Sequence, residues 1–238
     1  GSLNRKPETG NLMEEYLRPG EFIDSDAPEV VSLAENAAKG LKEKLQTGVR
    51  LYYAVRDGIQ YDPYRIDLSR EGLKASSIIR KGFGYCVAKA AVLAAACRAC
   101  GIPSRVGFAD VRNHLSTERL RKLMKTDIFI YHGYTEMFLE GKWVKATPAF
   151  NLSLCDRFRV NPLEFDGKKD SLFHEYNRDG DRHLEYVRDH GVFADLPYET
   201  IVAMFRKHYP GYFKAENSEA GSFEKEADRE EEAGGLRG

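Results

Sequence analysis

Cys86 is the side chain whose setting in this sequence most invites chemistry. It follows a glycine-spaced turn, Gly82-Phe83-Gly84-Tyr85, and opens a run of alanine, valine and leucine that reaches Cys100. A thiol at a helix start lies beside unpaired backbone N–H groups and the positive end of the helix dipole, and both favour the nucleophilic thiolate. Gly82 and Gly84 allow a tight turn and a close approach of substrate. The same setting is also that of an inert thiol buried beside an apolar helix, so position alone leaves both readings open. A cysteine nucleophile needs a base held on a rigid element, and His132 lies inside a run that alternates like a strand.

Local pattern predicts the elements that would position these two groups. After Pro28, EVVSLAENAAKGLKEKLQTG has apolar residues at helical spacing and ends in Gly48, which predicts one surface helix stopping there. VRLYYAVRDGIQYDPY predicts a second, buried helix before a loop around Asp62-Pro63, and residues 73–81 a short third. From Val87 to Cys100 the small apolar side chains run nearly all round, with Gly101 and Pro103 as stop signals. That predicts a helix buried at the centre of the domain. SRVGFADV then predicts a strand, and residues 128–150, IFIYHGYTEMFLEGKWVKATPAF, a β-hairpin turning at Glu140-Gly141.

The larger organisation follows from composition. Residues 1–28, rich in proline, glycine and charge, read as an N-terminal arm. Residues 29–213 read as the main domain, with a C-terminal extension from about 151 that contains a helix near 196–209. Residues 214–238, rich in glutamate and glycine, read as a disordered tail.

Taken together, Gly84-Tyr85-Cys86, Gly101-Ile102-Pro103-Ser104-Arg105 and His132-Gly133-Tyr134-Thr135-Glu136 resemble the transglutaminase-like superfamily of cysteine enzymes. The resemblance covers about residues 70–150. It implies an α+β, papain-like core in which the helix carrying the cysteine packs on an antiparallel sheet. It also implies amide-bond chemistry through an acyl-enzyme, completed by water or an amine, on a peptide or protein substrate. Carried over, Cys86 is the nucleophile and His132 the base and later the acid, with the Cys86 backbone N–H facing the oxyanion.

The sequence departs from the family at the third catalytic position. The family places an Asp in a Trp-Val-x-x-Asp-Pro segment, and here Trp143-Val144-Lys145-Ala146-Thr147-Pro148 has Thr147. A hydroxyl can orient an imidazole but brings no negative charge. If Glu140 and Gly141 form a two-residue turn, His132 falls opposite Ala149, with Thr147 and Asn151 as diagonal neighbours on its face. Asn151 is therefore a second candidate orienter, or simply a residue that starts a turn. Tyr85, and Tyr134 on the His132 face, are candidates for the substrate-binding wall. A catalytically silent binding module that keeps the same cleft is the alternative to an enzyme.

Other functions find less support. With 36 basic and 37 acidic residues the net charge is −1, which gives no electrostatic ground for a nucleic-acid partner. No stretch approaches the about 20 apolar residues of a membrane span, and the four cysteines are too sparse for a disulfide scaffold, so the expected compartment is cytoplasmic. The core motifs imply no metal or organic cofactor. Cys97-Arg98-Ala99-Cys100 has redox spacing but lies at the wrong end of its helix, and Cys155 reads as structural. Residues 177–182 share only their charge with a calcium loop, since Arg182 stands where glycine is required.

Overall fold

The computed structural model describes residues 13–113, 116–173, 178–181, 184–214 and positions 223, 225–226 and 228–229. Two helices come first, α1 (Pro28–Ala38) and α2 (Lys44–Gly58). Their boundary differs from the one expected at Gly48. The chain breaks at Lys39–Gly40, where Gly40 takes φ +80°, while Gly48 lies within α2. Gly48 is there for space: a Cβ on it would stand 2.9 Å from Met137 Sδ and 3.3 Å from Leu139 Cδ1. Glycine therefore serves close packing at 48 and backbone reversal at 40, a distinction that local pattern does not carry.

The next elements frame Cys86. The two-residue strands β1 (Gln60–Tyr61) and β2 (Phe83–Gly84) pair in parallel, with helix α3 (Ala75–Lys81) between them in sequence. Gly82 ends α3 in the left-handed region at φ +76°, and Gly84 runs so close to α3 that a Cβ would meet Ile78 Cγ2 at 3.2 Å. Helix α4 (Cys86–Ala99) follows at once, and every residue from Cys86 to Arg98 is buried. It is the central helix that its composition predicts. Its one lysine, Lys89, is wholly buried and donates to the carbonyls of Arg56 (2.8 Å) and Ile59 (2.5 Å). An ammonium there meets the unsatisfied carbonyls and negative dipole end of α2.

The sheet is antiparallel, in the order β5-β4-β3-β6, from β3 (Ser104–Asn113), β4 (Ile128–Leu139), β5 (Lys142–Ala146) and β6 (Leu184–Phe193). Between β3 and β4 lies a short helix, α5 (Glu118–Met124), capped by the Thr117 hydroxyl. The β4–β5 hairpin turns as expected at Glu140 and Gly141, both at positive φ (+48° and +83°), with Leu139 opposite Lys142. Strand β6 has no sequence signature, because it is a largely exposed edge with two register shifts against β3. Helix α4 packs on the face of β4 that carries Thr135, whose hydroxyl donates to the Ala90 carbonyl at 2.8 Å. The result is an α+β, papain-like core.

Segments at both ends of the domain are tied to it. Phe22 and Ile23 are buried, and the N–H groups of Glu21, Phe22 and Ile23 donate to the Asp195 carboxylate. Arg98 donates from α4 to the carbonyls of Arg18, Ser104 and Ala194. Beyond β5 come α6 (Leu152–Arg157), α7 (Tyr198–His208) and α8 (Gly211–Lys214). Among the described residues no helix is long and apolar enough to cross a membrane.

Candidate active site

Cys86 is the first residue of α4, behind Tyr85, which takes an extended N-cap conformation and makes no side-chain capping bond. Burial pushes the Cys86 thiol up to about 11, against the opposing pull of the nearby backbone N–H groups of Gly133 on β4, Val87 and Cys86 itself. The helix start therefore pulls in the expected direction and loses to desolvation. The thiol is thus protonated at neutral pH and needs a base to give up its proton.

Strand β4 brings such a base to the same end of α4. A Cβ on Gly133 would stand 2.9 Å from Val87 Cα and 3.4 Å from the Cys86 carbonyl oxygen, so strand and helix backbones touch there. His132 precedes that point of contact by one residue and is buried, paired with Ala109 across the β3–β4 ladder. Just before it the ladder slips between Ala109 and Val111, and Tyr131 takes φ +56°. Such a bulge re-aims the residues beside it. Asp110 holds it, accepting from the Tyr131 N–H at 3.0 Å and lying 2.8 Å from His190 Nε2, while the Tyr131 ring stacks on His190 at 4.1 Å. The Tyr209 hydroxyl clamps the start of β4, accepting from Ile130 N–H and donating to the Ile128 carbonyl. Asp110, His190 and Tyr209 carry no sequence signal of this role, since each meets β4 from a distant part of the chain.

The cleft over Cys86 is aromatic. A small cavity of about 40 Å³ has Cys86, Tyr85, Tyr61, Phe129, Phe205 and Tyr212 in its wall. Tyr85 thus stands where a substrate-binding residue is expected, with its hydroxyl buried and lacking a hydrogen-bond partner among the described residues. Burial pushes the Tyr61 and Tyr85 phenols well up, so they remain neutral. Tyr134 packs elsewhere, over Gly107 in a smaller cluster with Ala109, Val111 and Leu184. Its strand neighbour Glu136 pairs with Arg105 at 2.6 Å.

The two candidate orienters have separate surroundings. The β4–β5 ladder stops at Thr135–Ala146, three residues short of His132, because Thr147 turns its N–H to the Ser171 carbonyl and Pro148 has none to give. The extrapolated pairing of His132 with Ala149 is therefore not part of the ladder. Thr147 is buried, and its hydroxyl has no hydrogen-bond partner among the described residues. Asn151 N-caps α6, its Oδ1 accepting from the Tyr61 N–H at 3.0 Å and its Nδ2 donating to Ser153 Oγ at 2.8 Å. It braces β1 beside the cleft. A buried hydroxyl without a partner contributes nothing to stability, so Thr147→Val is expected to leave the urea midpoint unchanged or raise it. A loss of more than about 1 kcal/mol would show that the hydroxyl has a partner after all.

Among the described residues no group of three or more His, Cys, Asp or Glu side chains is arranged to hold a metal ion. The four cysteines are free thiols. Cys97 is buried, and burial pushes its thiol far up. Of the calcium-like loop, 178–181 are described, and Asp179 pairs there with Arg159 at 2.9 Å.

Residues 31–148 match the model of the family described as "Transglutaminase-like superfamily". No curated protein matches the chain. Two solved structures are similar to it. One, named "Putative Cysteine Protease", is from Cytophaga hutchinsonii, 19% identical over 62% of this chain and 46% of that one, with a TM-score of 0.46. The other, named "Putative Protease", is from Parabacteroides distasonis ATCC 8503, 16% identical over 60% of this chain and 26% of that one, with a TM-score of 0.37. This chain thus spans less than half of either. Through residues 31–148, which hold both Cys86 and His132, the chain belongs to the transglutaminase-like superfamily.

Proposed function

We propose that this protein is a cysteine-dependent enzyme acting on an amide bond of a peptide or protein. The observation that carries the reading is the backbone contact at Gly133, where a Cβ would stand 2.9 Å from Val87 Cα and 3.4 Å from the Cys86 carbonyl oxygen, which sets the His132 strand against the helix start bearing the thiol. In this mechanism His132 takes the thiol proton as sulphur attacks the carbonyl carbon, and backbone N–H groups at the start of α4 stabilise the oxyanion. His132 then gives its proton to the leaving amine, the C–N bond breaks, and a thioester on Cys86 remains. Water releases the acid, or an amine releases a new amide. Tyr85 lines the substrate cleft, and Asn151 braces β1 beside it.

Residues 29–213 form the working unit in this reading, and its extension beyond 151 shapes the cleft, since Phe205 and Tyr212 stand in the pocket wall. Four free thiols suit a reducing compartment such as the cytoplasm. One observation favours a silent binding module instead: Cys86 is buried, which pushes its thiol up and disfavours the nucleophilic thiolate. Labelling with a peptidyl acyloxymethyl ketone, native protein against Cys86→Ala, separates the two. The enzyme reading expects fast labelling that Cys86→Ala abolishes and His132→Ala slows by about a hundredfold or more. Equal labelling of native and Cys86→Ala protein would overturn it.

A further inference from the structure

Tyr61 and Phe129, in the wall of the Cys86 pocket, also line a second apolar pocket, whose far wall is Phe150, Leu154, Cys155 and Phe158. Phe223 completes it from beyond the main domain. Its side chain is buried, with its ring centroid 5.8 Å from Tyr61, 5.6 Å from Tyr64 and 5.1 Å from Phe158. Positions 223, 225–226 and 228–229 are helical, which sets Phe223 and Glu226 on one face. Glu226 accepts from the Tyr64 hydroxyl and pairs with Arg119 at 2.8 Å, and Arg119 lies 4.0 Å over the Tyr64 ring. Asp228 pairs with Arg157, on the last turn of α6.

The groove is thus apolar at its floor and basic at its rim, and the segment in it is aromatic where the floor is and acidic where the rim is. That is the division expected of a peptide-recognition surface, with an aromatic anchor in a desolvated pocket and charge pairs around it. We propose that the apolar groove beside Tyr61, next to the Cys86 pocket, is a subsite for a peptide bearing a large aromatic side chain with acidic side chains three and five residues after it, and that Phe223, Glu226 and Asp228 occupy it in cis. That Cys86 cleaves or transfers the bound peptide rests on the function proposed above; the occupancy does not.

Cys155 reports on the groove independently of Cys86, because it lines the same pocket as Phe223 and is fully buried. In the full-length chain with Phe223→Ala, Glu226→Gln and Asp228→Asn together, iodoacetamide is expected to label Cys155 about tenfold faster than in the native chain. A synthetic peptide of residues 223–229, Phe-Glu-Lys-Glu-Ala-Asp-Arg, is expected to restore protection at millimolar concentration, and the same peptide with alanine for phenylalanine is not. Cys97, buried in α4, controls for general loosening. If it too accelerates, Arg119→Gln with Arg157→Gln, which leaves the aromatic packing in place, carries the test. Unchanged Cys155 labelling with Cys97 protected, or no protection by the peptide, would overturn the proposal. A Cys86 that stays inert while Cys155 opens and closes with the peptide would instead sink the enzyme reading alone.

Discussion

Replacing Gly133 with alanine is expected to silence Cys86 and lower the melting temperature together. The added Cβ would stand 2.9 Å from Val87 Cα and 3.3 Å from Val87 N, both backbone atoms of the first turn of α4, so no side chain can move aside. Strand β4 must back away from the helix start, and it carries His132 with it. Overpacking of this kind costs about 2 kcal/mol, or about 4–8 °C in a domain of this size. Catalytic geometry is less forgiving, since about 1 Å of misplacement can cost a hundredfold in rate. Gly58→Ala is the control, because a Cβ there meets nothing within 4 Å. Native-like labelling of Cys86 in Gly133→Ala protein would show that the close approach does not set the site.

The same contact marks the limit of what the sequence discloses. The Cys86 helix is legible because its signals are local: glycines before it, small apolar residues throughout, and Gly101 and Pro103 after it. The hairpin is legible for the same reason, since Glu140-Gly141 sits between alternating runs and both residues take the positive φ of that turn. The break between α1 and α2 is not, because Gly40 and Gly48 look alike until Met137 is seen packed on one of them. Strand β6 is hidden by exposure, which removes the alternation that marks a half-buried strand. In the site, Cys86 and His132 are found by their motifs, whereas Asp110, His190 and Tyr209 are found only once β3 lies beside β4, β6 beside β3, and the end of α7 reaches the start of β4. The hairpin register extrapolates correctly to Ala146 and then fails, because Ser171 captures Thr147. Pairwise register is a short-range rule, and a competing long-range partner ends it.

Raising the pH from 8 to 10.5 is expected to destabilise the protein strongly, with the Cys86 thiol among the causes. Burial pushes Cys86 to about 11 and Cys155 to about 12, and Cys97 higher still, from an ordinary value of 9.0. The native state then holds more protons than the unfolded one above pH 9, so unfolding stability falls as pH rises. Below pH 9 the stabilisation from these thiols is complete. By pH 10.5 each contributes about 2 kcal/mol less, or about 6 kcal/mol for the three, and the loss for Cys86 is complete only above pH 11. Urea unfolding at the two pH values measures this, and Cys86→Ala should lose about 2 kcal/mol less than native. Equal losses would mean that the native thiol titrates normally. The reactivity of the same thiol gives the kinetic counterpart. In His132→Ala protein, labelling should rise about tenfold per pH unit toward pH 11, since only spontaneous ionisation supplies thiolate. With His132 present, the proton has somewhere to go, and the rate should rise less steeply with pH than in the His132→Ala protein. A native profile as steep as that of the His132→Ala protein would mean that His132 takes no proton from Cys86.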